Sequence, residues 1–152
     1  MNDMSLHQEV HVGSVLGAQT NHTSITQVFR YSAATWNTHR IHYDKEYAIK
    51  EGYPDVLVQS HLHGALLTKY CTDWAGREGR LVDLSLRVRR FAVAGESLTI
   101  QGTVREVRAG DNGRALVDLD LVETRDSDAE TCVEGTATIE IPSAWLDGGA
   151  KS

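Results

Sequence analysis

"VLVQSHLHGALLTKYCTDWAG", residues 56–76, carries Leu62, Leu66, Tyr70 and Trp74 at four-residue spacing, with His63, Leu67, Cys71 and Ala75 as a second stripe beside them. The two stripes make a helix apolar around most of its circumference, so it has to be buried on most sides. Ser60 stands at an N-cap or first-turn position, and Gly76 closes the element.

What could cover such a helix follows it in the chain. In "LVDLSLRVRRF" (81–91), Val82, Leu84, Leu86 and Val88 alternate with Asp83, Ser85, Arg87 and Arg89, the pattern of a sheet covered on one face. "SLTIQGTV" (97–104) repeats it with Leu98, Ile100 and Val104. "RALVDLDLVE" (114–123) presents Ala115, Val117, Leu119 and Leu121, and "VEGTATIEI" (133–141) presents Val133, Ala137, Ile139 and Ile141. The links "AGES" and "AGDNG" have hairpin chemistry, and "RDSD" is a polar turn. Upstream, "TSITQVFRYSA" (23–33) is rich in β-branched and aromatic residues and reads as a strand. "DKEYAIKEG" (44–52) reads as a short exposed helix capped by Asp44 and stopped at Gly52. One apolar helix followed by a four-strand meander packs most simply with the antiparallel sheet curled around the helix, an α+β hotdog fold. A lone sheet leaves an edge and an outer face to cover, so a dimer is expected.

The chain of 152 residues suits a single domain, with residues 1–20 as a leading arm and 147–152 as a polar tail. Apolar residues at 41% and charged residues at 24% are those of a globular protein. A net charge of −6 argues against nucleic acid as a partner, because neutralising phosphates needs a basic face. No apolar run approaches the roughly 20 residues of a membrane crossing, and "MNDMSLHQEV" has no basic lead or apolar core of a secretory signal, so a cytoplasmic address is expected. Cys71 and Cys132 fall in core segments without metal-clip or redox spacing and read as reduced core residues.

"TWNTHRIHYD" (35–44) concentrates two histidines, an asparagine, an arginine and an aspartate in ten positions. Together with "GYPDVLVQ" (52–59), this stretch resembles the signature region of the MaoC-like hydratases and dehydratases. The branch it resembles contains fungal mitochondrial 3-hydroxyacyl-thioester dehydratases and bacterial mesaconyl-CoA or itaconyl-CoA hydratases. The similarity covers residues 29 to about 70 well and the later strands only in pattern. The family pattern is Asp-x-Asn-Pro-x-His; aligning its His with His42 puts Asn37 at the Asp and His39 at the Asn, a departure that the "N-x-H-R-I-H-Y-D" branch shares. Many relatives have His-Gly where this chain has Gln59 and Ser60.

The resemblance implies reversible addition of water to a 2-enoyl thioester, on CoA or an acyl carrier, to give an (R)-3-hydroxyacyl thioester, with no metal or redox cofactor. His42 is the natural acid and base, since imidazole titrates near neutrality and burial keeps it neutral. Asn37 can hold the water through its amide, but it also suits a turn or cap. Backbone N–H groups around Ser60 and His61, at the positive end of the helix dipole, would form the oxyanion site, with Gln59, Arg40 and Tyr53 as further candidate substrate contacts. His39 and Arg40 could instead simply pin the loop. His61 and His63 cannot readily share a metal, because a spacing of two on a helix splays them by about 200°. Both read as packing or interface residues, His61 nearer the pocket. Arg87, Arg89 and Arg90 read as a solvated sheet face, the alternative being capture of CoA phosphates or of an acyl carrier. From a different class stands a non-catalytic hotdog subunit completing a heteromer, motivated by the missing Asp and His-Gly. A thioesterase on the same fold has less support, because the constellation lacks its acidic residue.

Overall fold

The computed structural model describes residues 10–146. In chain order the elements are β1 (Gln19–His22), α1 (Ile25–Thr35), a 3-10 turn (Arg40–His42), α2 (Lys45–Lys50), α3 (Ser60–Ala75), β2 (Arg80–Val88), β3 (Ser97–Ala109), β4 (Arg114–Arg125), β5 (Glu130–Pro142) and a second 3-10 turn (Ser143–Trp145). The strands form one antiparallel sheet in the order β1-β3-β4-β5-β2, curled around α3. This is the hotdog fold that the stripes of α3 and the alternation of the strands predict.

The core lies where expected. Leu62, Leu66, Leu67, Tyr70 and Cys71 of α3 are buried against Leu98, Ile100, Leu119, Leu121, Ile139 and Ile141 of the sheet. Each such aliphatic side chain contributes about 1.5–3 kcal/mol on leaving water. Gly102 N–H donates to the Tyr70 hydroxyl at 2.8 Å, so the phenol is buried with its polar end bonded. Cys71 and Cys132 are free, buried thiols. Asp44 caps α2 by accepting from Tyr47 N, and Gly52 at φ 92° turns the chain after it. None of the described helices is long and apolar enough to cross a membrane.

Three expectations are corrected. Residues 23–33 are not a strand; most of them belong to α1, whose cap is the Ser24 hydroxyl accepting from Gln27 N at 3.1 Å. Its inward residues, Val28 and Ser32, are four apart, a helical spacing; Phe29 is exposed, while Tyr31 packs against the edge of the core. "AGES" is not a hairpin, because β2 and β3 lie on opposite flanks of the β4–β5 pair and the link is a crossover. It is held by Ala94 N–H on Val56 O at 2.9 Å and Gly95 N–H on Thr23 O at 2.7 Å. Finally, two of the four residues expected on the covered face of β2, Val82 and Val88, are exposed; a bulge between Leu81 and Asp83 turns Leu81 toward the core in place of Val82 on this edge strand.

The part of the leading arm within the described residues follows β3, with Leu16 N–H on Gly102 O at 2.9 Å and β1 paired beyond it. Residues 1–9 and the polar tail, 147–152, lie outside the described residues.

Candidate active site

α1 ends at Trp36, held in the left-handed region at φ 54° and 84% exposed. A non-glycine residue pays for that conformation in steric strain, and the gain is a sharp change of direction. Asn37 follows, its N–H on Ser32 O at 2.9 Å, while its side-chain carbonyl accepts from His39 N at 3.2 Å. Both bonds serve the turn. Asn37 borders a cavity of about 190 Å³ formed with Phe29, Ser32, Ala33, Trp36, Thr38 and Tyr43.

His42 ends the 3-10 turn and is buried. Its Nδ1 lies 2.8 Å from the carbonyl of Leu57, and Leu57 N–H returns a bond to Ile41 O at 2.8 Å. A carbonyl only accepts, so Nδ1 carries the proton and Nε2 keeps its lone pair. Burial pushes the His42 pKa below the ordinary histidine value; the Leu57 carbonyl opposes this and the nearby His39 adds to it. The segment that holds His42 becomes α3 three residues after Leu57, so imidazole and helix start are joined through a short, bonded stretch of backbone.

Ser60 and His61 open α3, and no side chain caps it. Both are exposed and border a groove of about 450 Å³ whose remaining walls include Tyr31, Gly64, Ala65, Thr68, Leu84 and Leu86. The first amides of an uncapped helix are donors without helical partners, at the positive end of its dipole.

The other candidates are distributed differently. Gln59 is fully buried and turned inward, its Nε2 donating to Val28 O at 2.7 Å and Ser32 Oγ at 2.8 Å. Arg40 is bound to Asp44 and lies over the Tyr47 ring at 4.6 Å, pinning the loop to α2. Tyr53 packs edge-on against Phe91 with ring centroids 5.4 Å apart. Arg89 bonds Glu134 at 2.7 Å and Arg90 approaches Glu130 at 3.7 Å, so acidic neighbours across the strands engage two arginines of the basic run.

Sequence reasoning missed one pair. His63 Nδ1 and Glu123 Oε1 lie 2.6 Å apart inside the core. A signal was present: Glu123 continues the inward parity of Leu119 and Leu121, and an acid at an inward position calls for a buried partner.

Residues 8–94 match the family model of hydroxyacyl-thioester dehydratase type 2. The chain is 28% identical over 99 residues to the 3-oxo-4,17-pregnadiene-20-carboxyl-CoA hydratase beta subunit of Mycobacterium tuberculosis, a match covering 65% of this chain and 77% of that protein. A 41-residue stretch is 54% identical to mesaconyl-C(4)-CoA hydratase of Chloroflexus aurantiacus, covering 26% of this chain and 15% of the hydratase. Among solved structures, the ChsH1-ChsH2 complex from Mycobacterium tuberculosis superposes with a TM-score of 0.74 at 24% identity, over 86% of this chain and 98% of the other. The (R)-hydratase from A. caviae involved in PHA biosynthesis gives 0.77 at 17% identity, over 89% and 99%. At these identities the structures attest a shared fold, while the family model spans the whole segment from the leading arm through α3 to the crossover. On that match, the chain belongs to the hydroxyacyl-thioester dehydratase type 2 family.

Proposed function

We propose that this protein reversibly hydrates a 2-enoyl thioester, carried on CoA or an acyl carrier, to the (R)-3-hydroxyacyl thioester. The observation that carries the reading is the His42–Leu57 bond of 2.8 Å, which leaves Nε2 with its lone pair on a ring anchored to the backbone three residues before α3 begins. Nε2 takes a proton from water as the oxygen attacks the β carbon, and electron density moves onto the thioester oxygen. The amides of Ser60 and His61 stabilise that enolate, and the imidazolium of His42 returns the proton to the α carbon. Atoms and charge balance without an added reagent. Asn37 orients the water, and the groove along Gly64, Ala65 and Thr68 receives the acyl group.

The test mixes purified protein with a short 2-enoyl-CoA and follows the loss of enoyl absorbance. His42→Ala is expected to lower the rate by about 10²–10⁴-fold. Equal slow rates for wild type and variant end the enzymatic reading.

A second reading is favoured by one finding: a relative 28% identical to this chain is the beta subunit of a hydratase. On that reading the protein completes a heteromer, and turnover arises only after a sister chain is added. The same assay, run with and without a co-purifying partner, separates the two.

A further inference from the structure

Directly below the start of α3 lies a buried polar thread that the proposed chemistry does not use. His63 and Glu123 are 1% and 0% exposed, joined Nδ1 to Oε1 at 2.6 Å, yet His63 Nε2 and Glu123 Oε2 have no partner. One helical turn earlier, Gln59 Oε1 is also buried without a partner. Among the described residues, these three residues supply all the buried side-chain polar atoms lacking a hydrogen bond except Asn21 Nδ2.

Such atoms lower stability, because each gives up water without a replacement. A buried polar pair is a weak source of stability as well, since apolar residues of similar volume usually serve a fold at least as well. Where a protein concentrates such losses, the arrangement commonly has a role beyond folding.

The connections of the thread indicate that role. Glu123 on β4 holds the His63 ring, and the backbone N–H of His63 donates to the backbone carbonyl of Gln59 at 3.1 Å. The Gln59 amide then holds Ser32 Oγ at 2.8 Å and Val28 O at 2.7 Å on α1. Ser32 O in turn accepts from Asn37 N at 2.9 Å. The thread thus runs from the sheet through the helix start to the residue that faces the cavity after α1.

We infer that Glu123, His63, Gln59 and Ser32 are positioning residues that set the first turn of α3 against Asn37; the catalytic consequence rests on the hydratase reading. Glu123, His63 and Gln59 lie in the core, and all four residues act through the amides of Ser60 and His61 and the side chain of Asn37. Two short bonds to α1 and one to β4 fix the helix start from both sides, which apolar packing alone, being non-directional, does not.

The test uses the full chain, with its partner if one is needed for turnover. His63→Leu/Glu123→Val removes both polar side chains at nearly constant volume. The expected result is a melting temperature at or above wild type, with kcat for a short 2-enoyl-CoA lowered about tenfold or more, since small misplacement of catalytic groups is costly. KM stays within about twofold, because the loss falls on the transition state. Glu123→Gln, which keeps an acceptor for His63, stays near wild type. Amide hydrogen exchange at Asn37 and Leu62, both unchanged in the double variant, accelerates about tenfold or more, reporting the loosened turn independently of activity. A folded double variant with wild-type exchange at these amides overturns the proposal, as does one with faster exchange but unchanged kcat in an active enzyme. If wild type is inactive with and without its partner, the hydratase reading fails, and exchange alone decides the positioning claim. If the double variant does not fold, Ser32→Ala cuts the thread at its other end and is read by the same criteria.

Discussion

His42 is held by a single strong constraint, the Leu57 carbonyl at 2.8 Å; that bond fixes the ring's orientation and tautomer and by itself favours the protonated form, but burial outweighs it and favours the neutral ring. Burial lowers its pKa from the ordinary value of 6.5. A base must be unprotonated, so hydration is expected to be level near neutral pH and to fall on an acid limb whose midpoint lies below 6.5. A pH–rate profile with its midpoint at or above that value contradicts the assignment. The same group has a stability consequence: the unfolded chain protonates first as pH falls, so its contribution is full above 6.5 and is lost as pH drops through the folded pKa. Ser60 offers a sharper test, since it is the first residue of α3 and follows an extended residue, Gln59 at φ −68° and ψ 141°. Proline is tolerated at a first helical position after an extended residue and lacks the N–H. Ser60→Pro is therefore expected to fold and yet lose about 10²–10³-fold in kcat, the usual effect of deleting one oxyanion donor. Circular dichroism and enoyl-CoA kinetics on the same sample check both parts. His42 was legible as a residue because of the motif around it, whereas its partner, a backbone carbonyl, leaves no side-chain signature.

Among the elements, α3 was readable from its stripes alone, but its close approach to the sheet depends on glycines that carry no periodic signal. At Gly135 on β5, an added Cβ would meet Ser85 O at 2.8 Å and Leu67 Cδ2 at 3.3 Å. The first of these is backbone and cannot rotate away, so Gly135→Ala is expected to destabilise the protein by about 1–3 kcal/mol, seen as a lower urea midpoint at unchanged m-value. A midpoint equal to wild type would mean that β5 and β2 can separate freely. α1 shows the opposite case. Its β-branched and aromatic composition suggests a strand, but Ser24 with Gln27 three residues on is a helix-start signature, and the cap together with burial of Val28 and Ser32 outweighs propensity.

For the molecule as a whole, β2 is the open question of the surface: a nine-residue edge strand paired only with β5, with Val82 48% and Val88 36% exposed. Such an edge invites a second chain. Sedimentation equilibrium is expected to give at least twice the 16.8 kDa of one chain, and Val82→Lys to shift the protein toward monomer. A wild type that sediments at the mass of a single chain would contradict the oligomer. Amino-acid order alone determined the wrapped helix, the inward faces of β3, β4 and β5, the Asp44 cap and the polar turn around His42, because each depends on periodicity or capping within a few residues. Only tertiary structure decided that β2 crosses to the far edge, that Gln59 turns inward to α1 rather than toward the groove, and that His63 meets Glu123 sixty positions away. Those outcomes depend on contacts between segments distant in the chain, where the balance of burial and hydrogen bonding is set by three-dimensional neighbours rather than by local pattern.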